Sequence, residues 1–332
     1  MKYLKIAFFL FLLVGTVVIL KNHQVEQCAP YRIAEGRIFG TQYRVAYQSS
    51  EPLDSAIKSV LQEVDASLSM FNKKSTLWRI NNGEDNRVDS LFCVVFNASQ
   101  AVAEATNGAF DPTVAPAVNA WGFGTQQKSA LTTSALDSIA ALVDYRKVKL
   151  VGDTLLWRAD ERMKLDFGAI AKGFGVDCVA AMLQRKEVAN YMVEIGGEVI
   201  VSGINDKGTA WRIGIQKPTT DGASVQDVIQ LHNAAMATSG NYRNYYLNHE
   251  GKRVAHTIDP RTASPVSHSL LSATVIAPSC AQADAYATAF MVMGVDSAKT
   301  ILSARPELSV YLIYEDADSL CVYSTIEERV NQ

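Results

Sequence analysis

The segment AQADAYATAF, residues 281–290, is apolar enough for a buried helix yet carries Asp284 and Thr288 four residues apart. On an α-helix, positions i and i+4 lie above one another, so the two side chains share a stripe. Two readings of that stripe stay open. Thr288 can bond back to a carbonyl of its own helix while Asp284 turns to solvent or pairs with a lysine. Alternatively, the pair supplies hard oxygen ligands to a divalent cation.

Three further stretches carry residue types that could do chemistry. LDFGAIAKGFGVD, Leu165–Asp177, sets three glycines and Lys172 between a strand-like run and a helical one. It is not a Walker A loop, because Phe174 stands where the lysine belongs. Nor is it a dinucleotide fingerprint, because Cys178 replaces the third glycine. Glycines still let backbone approach a ligand, and a lysine at a helix start suits phosphate; a plain structural turn is the alternative. GAFDPTVAP (Gly108–Pro116) with WGFG (Trp121–Gly124) can stack a planar ring or plug a core. AHTIDPRT (Ala255–Thr262) puts His256 beside Asp259, a pairing open to proton transfer or to a structural role.

The elements that must hold these groups follow from periodicity. Arg37–Tyr47 reads as a strand pair broken at Gly40. Leu53–Leu68 has helical spacing, and a second helix covers Phe92–Thr106 and stops at Asn107-Gly108. Thr133–Val143 predicts a short amphipathic helix, and KVKLVG and TLLWRA a strand pair. Phe174–Arg185 predicts a helix, Tyr191–Glu194 a strand, and Gly196-Gly197 a tight turn. EVIVSG, WRIGI and NYYLN are short strands. The helix carrying Asp284 starts with Ser279 and Gln282 at capping-box spacing and is predicted to end at Gly294. A strand pair around Leu308–Tyr314 and Ser319–Tyr323 closes the chain. Strands and helices mix without regular βα alternation, so the fold class is α+β, with mixed or antiparallel sheets and packed helices.

Composition narrows the function. A net charge of −3 with no basic run gives nucleic-acid binding no support. Five scattered cysteines (Cys28, Cys93, Cys178, Cys280, Cys321) without a C-x-x-C argue against a disulfide scaffold and a zinc site. At the N-terminus, MKYLK precedes the fifteen uncharged residues Ile6–Leu20 and then Lys21. A positive flank before an apolar core is an export signal, and with no A-x-A site after it the segment is expected to stay as an anchor. Residues 1–29 are thus assigned to a signal or anchor and 30–332 to one exported domain. The expected location is the inner membrane, facing the periplasm. Cys28 follows a poor lipobox, so lipidation is the lesser alternative.

In order and wording, the chain resembles the FAD:protein FMN transferases, the ApbE-type flavin transferases. The matching blocks are GTQYRV, LSMFNKKSTLWRIN, NGAFDPTVAPAVNAWGFG, LDFGAIAKGFGVD, YMVEIGGEVIVSG, ATSGNYRNY, HTIDPRTASPV and SATVIAPSCAQADAYATAFMVMG, spanning roughly residues 36–296. The resemblance implies an ApbE-like, T-fold-related architecture and Mg²⁺-dependent transfer of the FMN half of FAD onto a partner's threonine, with release of AMP. It puts the metal on Asp284, Thr288 and the Ala169 carbonyl, with Ala287 alongside. It puts flavin and nucleotide contacts on Phe39, Phe71, Trp78, Ala109, Phe110, Asp111, Asp166, Lys172, His256, Thr257 and Ile258. Phe39 and Phe71 depart from the methionine and tyrosine of some members. Lys172 is expected to stabilise the leaving phosphate and His256 to take the threonine proton, with Asp259 as its orienting partner or substitute. Expected acceptors are subunits of sodium-translocating NADH:quinone oxidoreductases and related electron-transport complexes. The rival expectations are an Mg²⁺-dependent FAD pyrophosphatase and a non-catalytic flavin-binding protein.

Overall fold

The computed structural model describes residues 29–124, 131–218, 224–241, 245–247, 253–317 and 319–326. The expected N-terminal anchor segment and residues 242–244 and 248 of the NYRNYYLN stretch lie outside the described residues, while Tyr245–Leu247 forms a short strand as expected.

Eight strands form one antiparallel sheet: β1 (Tyr31–Ile38), β2 (Thr41–Gln48), β3 (Tyr191–Ile195), β4 (Glu198–Ser202), β5 (Ala235–Gly240), β6 (Leu270–Ala277), β7 (Ser309–Asp316) and β8 (Ser319–Ser324). Their spatial order equals their chain order, so the sheet is a meander with long insertions. The predicted break at Gly40 is the β1–β2 hairpin turn, where Phe39 and Gly40 both have positive φ. Gly196 and Gly197 make the β3–β4 turn with φ of 64° and 108°. A two-residue hairpin turn needs such values to match the strand twist, and glycine adopts them without a Cβ clash.

Side chains alternate across the sheet with period two. Val45 and Tyr47 pack toward the helices, whereas Ala46, Val199 and Val201 pack with Trp211, Ile215, Ile229 and Leu231 of a covering hairpin, Trp211–Gln216 and Val225–Leu231. Glu198 falls on the helix side by the same alternation, at the first position of β4.

Four long helices cover that side: α1 (Asp54–Leu68), α2 (Ser90–Ala105), α3 (Ala171–Arg185) and α4 (Cys280–Ser303). α1 forms because Ile57, Leu61, Val64 and Leu68 recur on one buried face. α2 is capped by Asp89, whose carboxylate accepts from the Phe92 amide, and ends before Asn107 and Gly108, both at positive φ. Two predicted bounds move. α3 begins at Ala171, three residues before Phe174, which puts Lys172 inside its first turn. α4 is capped by Ser279 as predicted but continues past Gly294, whose φ of 76° makes a kink rather than a stop. Ala298 beyond the kink is again fully buried, so packing against the core carries the helix on. Tyr286 and Phe290 of α4 are also fully buried, worth about 1.5–3 kcal/mol for each such large side chain.

Candidate active site

Two helices start against each other at the centre of the molecule. A Cβ on Gly173 would lie 2.3 Å from the Cys280 carbonyl oxygen, so only glycine permits this approach of α3 to α4. The contact is tied by Asp177, one turn along α3. Its carboxylate accepts from the amides of Cys280 (2.8 Å) and Ala281 (2.9 Å), which a helix start leaves unpaired. Burial raises the Asp177 pKa to about 6, the two amide donors only partly opposing it.

The same approach positions Asp284. Its side chain is buried, 2 % exposed, and accepts from the Gly173 amide at 3.1 Å. In a regular helix that amide would bond the carbonyl four residues back, Ala169. No donor among the described residues takes up the Ala169 carbonyl instead. Lys172 Nζ lies 3.4 and 3.5 Å from the two Asp284 oxygens and 2.9 Å from Glu198 Oε1. One turn further along α4, Thr288 Oγ1 is 3.1 Å from Ser239 Oγ at the end of β5. Both open readings of the stripe thus find a footing: Asp284 meets a lysine, yet neither side chain turns to solvent.

These groups border a cavity of about 460 Å³, in the range of small-molecule sites. It is lined by Ala109, Phe110, Asp111, Asp166, Ala169, Lys172, Glu198, His256, Thr257, Ile258, Asp284 and Thr288 among others. The expected nucleotide loop, glycine loop, histidine segment and α4 stripe therefore meet in one place. Four carboxylates face a single lysine among the described lining residues, so the cavity is acidic. Burial raises the pKa of both Asp111 and Asp166. The Asp111 oxygens are already committed, accepting from the Thr113 amide and hydroxyl and from the Tyr145 amide. Asp166 accepts from the Gly168 amide at 2.7 Å. For Lys172, burial pulls the pKa down, but the Asp284 and Glu198 charges outweigh it and hold the ammonium protonated.

The remaining expected residues stand apart from this cavity. Trp78 lines a smaller recess that shares Met70, Val118 and Asp166 with it. Phe39 packs its ring against Gly175 of α3 instead of reaching the cavity lining. Phe71 is 73 % exposed. The Ala287 methyl is buried in the core and does not line the cavity. Asp259 is engaged by Arg261, which donates to it from Nε and Nη2 at 2.8 Å each. His256 instead meets the ring of Phe123 edge-on, with centroids 6.3 Å apart.

One site residue has no counterpart in the expectations. Glu198 is 3 % exposed, and its Oε2 is buried with no hydrogen-bond partner among the described residues. Burial, opposed in part by Lys172, raises its pKa to about 7. The available signal was alternation: Glu198 shares a strand face with Ile200, the side that faces the helices.

An α+β domain whose helix starts and glycine loop enclose an acidic cavity with one lysine has the architecture of a small-molecule site. The chain belongs to the ApbE family, whose model matches residues 39–312. It is 40% identical over 299 residues to the FAD:protein FMN transferase of Haemophilus influenzae, covering 84% of this chain and 85% of that protein. The solved flavin transferase ApbE of Vibrio cholerae superposes with a TM-score of 0.79 at 34% identity, covering 89% of this chain and 97% of that one. The apo flavinyl transferase ApbE of Pseudomonas stutzeri gives 0.80 at 28% identity, covering 90% and 96%.

Proposed function

We infer that this protein is an enzyme, an FAD:protein FMN transferase. The observation that carries the reading is convergence: the Asp284–Thr288 stripe, the Ala169 carbonyl, Lys172 and His256 all reach one cavity. FAD brings a doubly negative pyrophosphate, which an acidic cavity with one lysine would repel. A divalent cation resolves that conflict, and the residues present fit one. Asp284, Thr288 and the Ala169 carbonyl are hard oxygen donors, few enough to leave room for phosphate oxygens and water. We assign Mg²⁺ to them; when bound, it offsets the pyrophosphate charge.

The chain's own residues do the rest. Lys172 reaches a phosphate oxygen from the first turn of α3 and stabilises the charge that collects on departing AMP. His256, half-buried at the cavity wall, accepts the proton of the incoming threonine hydroxyl at an imidazole nitrogen. The threonine oxygen bonds the phosphorus on the riboflavin side as the bond to the AMP oxygen breaks. Asp259 is held by Arg261, so its part is to fix the loop after His256. Phe110 and Ile258 offer apolar surface for the flavin, and Trp78 a neighbouring face.

The acceptor we propose is a threonine-bearing subunit of a sodium-translocating NADH:quinone oxidoreductase or a related complex. We further propose that Ile6–Leu20 anchors residues 30–332 at the outer side of the inner membrane; the support is the apolar run between Lys5 and Lys21. Fractionation of cells would place the chain with membranes, and recovery in the cytosol would refute this.

Product analysis tests the reaction. AMP release that requires an acceptor, with no matching free FMN, supports transfer. Equal AMP and FMN without acceptor would make the protein a pyrophosphatase.

A further inference from the structure

Glu198 is a buried charge at the cavity that has no part in the proposed reaction. It sits at the first position of β4, delivered there by the Gly196-Gly197 turn, and it lines the cavity. Its Oε1 accepts from Lys172 Nζ at 2.9 Å, and its Oε2 is buried with no hydrogen-bond partner among the described residues. Lys172 meanwhile stands 3.4–3.5 Å from both oxygens of Asp284. The ammonium therefore bridges two carboxylates, closer to Glu198 than to Asp284. An ammonium and a divalent cation compete for the same carboxylate, because each is attracted by the same charge and repels the other.

We propose that Glu198 is a positioning residue that holds the Lys172 ammonium back from Asp284, leaving that carboxylate to a divalent cation. This rests on the reading of Asp284 as a cation ligand. With Glu198 in place, a cation arriving at Asp284 displaces the lysine onto a waiting partner. Without it, the displaced ammonium would be buried and unpaired, a costly arrangement. The lysine would then stay on Asp284 and exclude the cation. Glu198 thus acts through Lys172, not on the metal.

The test is a titration of the full chain with Mn²⁺, read from the electron paramagnetic resonance of the free ion. Wild type, E198Q, K172M, the E198Q/K172M double variant, E198D and D284A are compared, each checked for folding by circular dichroism. E198Q is expected to weaken Mn²⁺ binding about tenfold or more, as loss of an outer partner of a metal ligand does. K172M is expected to bind at least as tightly as wild type. In its background E198Q has no further effect, the signature of action through a shared partner. E198D, which keeps the charge, recovers most of the affinity. Wild-type affinity in E198Q would overturn the proposal. So would an equal loss from E198Q with and without Lys172, because Glu198 would then act on the ion directly. Binding by D284A equal to wild type, or no binding by wild type, would remove the Asp284 reading and this inference with it.

Discussion

The two ends of the cavity are built differently. At one end, Asp284, Lys172 and Glu198 come from two helix starts and a strand start, locked by the Gly173–Cys280 contact and the Asp177 cap. Asp284 and Glu198 are almost fully buried. At the other end, His256, Thr257 and Ile258 sit on the connection between β5 and β6, with Phe123 from a separate loop. The division fits the proposed chemistry. Opposing the charge of a pyrophosphate requires preorganised groups away from water, where electrostatics are strongest. Accepting a proton from a threonine of another protein requires a group that the partner can reach, and loops over a rigid sheet provide that.

This contrast can be broken by substitution, starting where the effect should be largest. D284A removes the only acidic side chain assigned to the cation, and turnover should fall about a thousandfold or more, as when central electrostatic stabilisation is lost. Acceptor modification followed over time checks this; residual activity above a tenth of wild type would break the rigid-end account. H256A should lower turnover by about 10²–10⁴ through loss of the proton acceptor while FAD affinity stays within a fewfold. Equilibrium binding of FAD separates the two, and a parallel loss of binding would make His256 a ligand contact instead. G173A forces a methyl against the Cys280 carbonyl and should destabilise the fold by about 1–3 kcal/mol. A urea melt with unchanged midpoint would show that α3 and α4 can separate freely.

The helix-start end should also carry a pH signature. Asp177 has a folded pKa of about 6, against 3.8 ordinarily, so the folded state holds that proton more tightly. Its contribution to stability is full below about pH 4 and is lost as pH rises through about 6. D177N should flatten that part of the stability curve while losing about 1 kcal/mol from an unpaired α4 amide. Smallest of all, F71A should change stability by no more than about 0.5 kcal/mol, since the ring is largely exposed. A marked loss of flavin transfer in F71A would mean that this ring closes over the cavity when substrate is bound.

The helix-start end was also the more legible in sequence. Asp284 and Thr288 stood out because helical spacing and the Ser279 cap fixed both their face and their depth. Lys172 was placed by its glycines, although α3 starts earlier than AKGFG suggests, because helix propensity undervalues a start held by tertiary contact with Cys280. Glu198 was missed because its environment comes from Lys172 and Asp284, 26 and 86 positions away along the chain. Asp259 beside His256 looked like a catalytic pair, but local pairing with Arg261 at i+2 claimed the carboxylate. Phe39 and Phe71 were carried over by resemblance alone, and neither ring lines the cavity.

The most direct test of the central claim is the intact mass of a threonine-containing acceptor domain after incubation with the protein, FAD and Mg²⁺. The account predicts a gain of one FMN unit on a single threonine, absent with chelator and absent with D284A. An unmodified acceptor, alongside FAD that is cleaved to FMN and AMP or left intact, would contradict it.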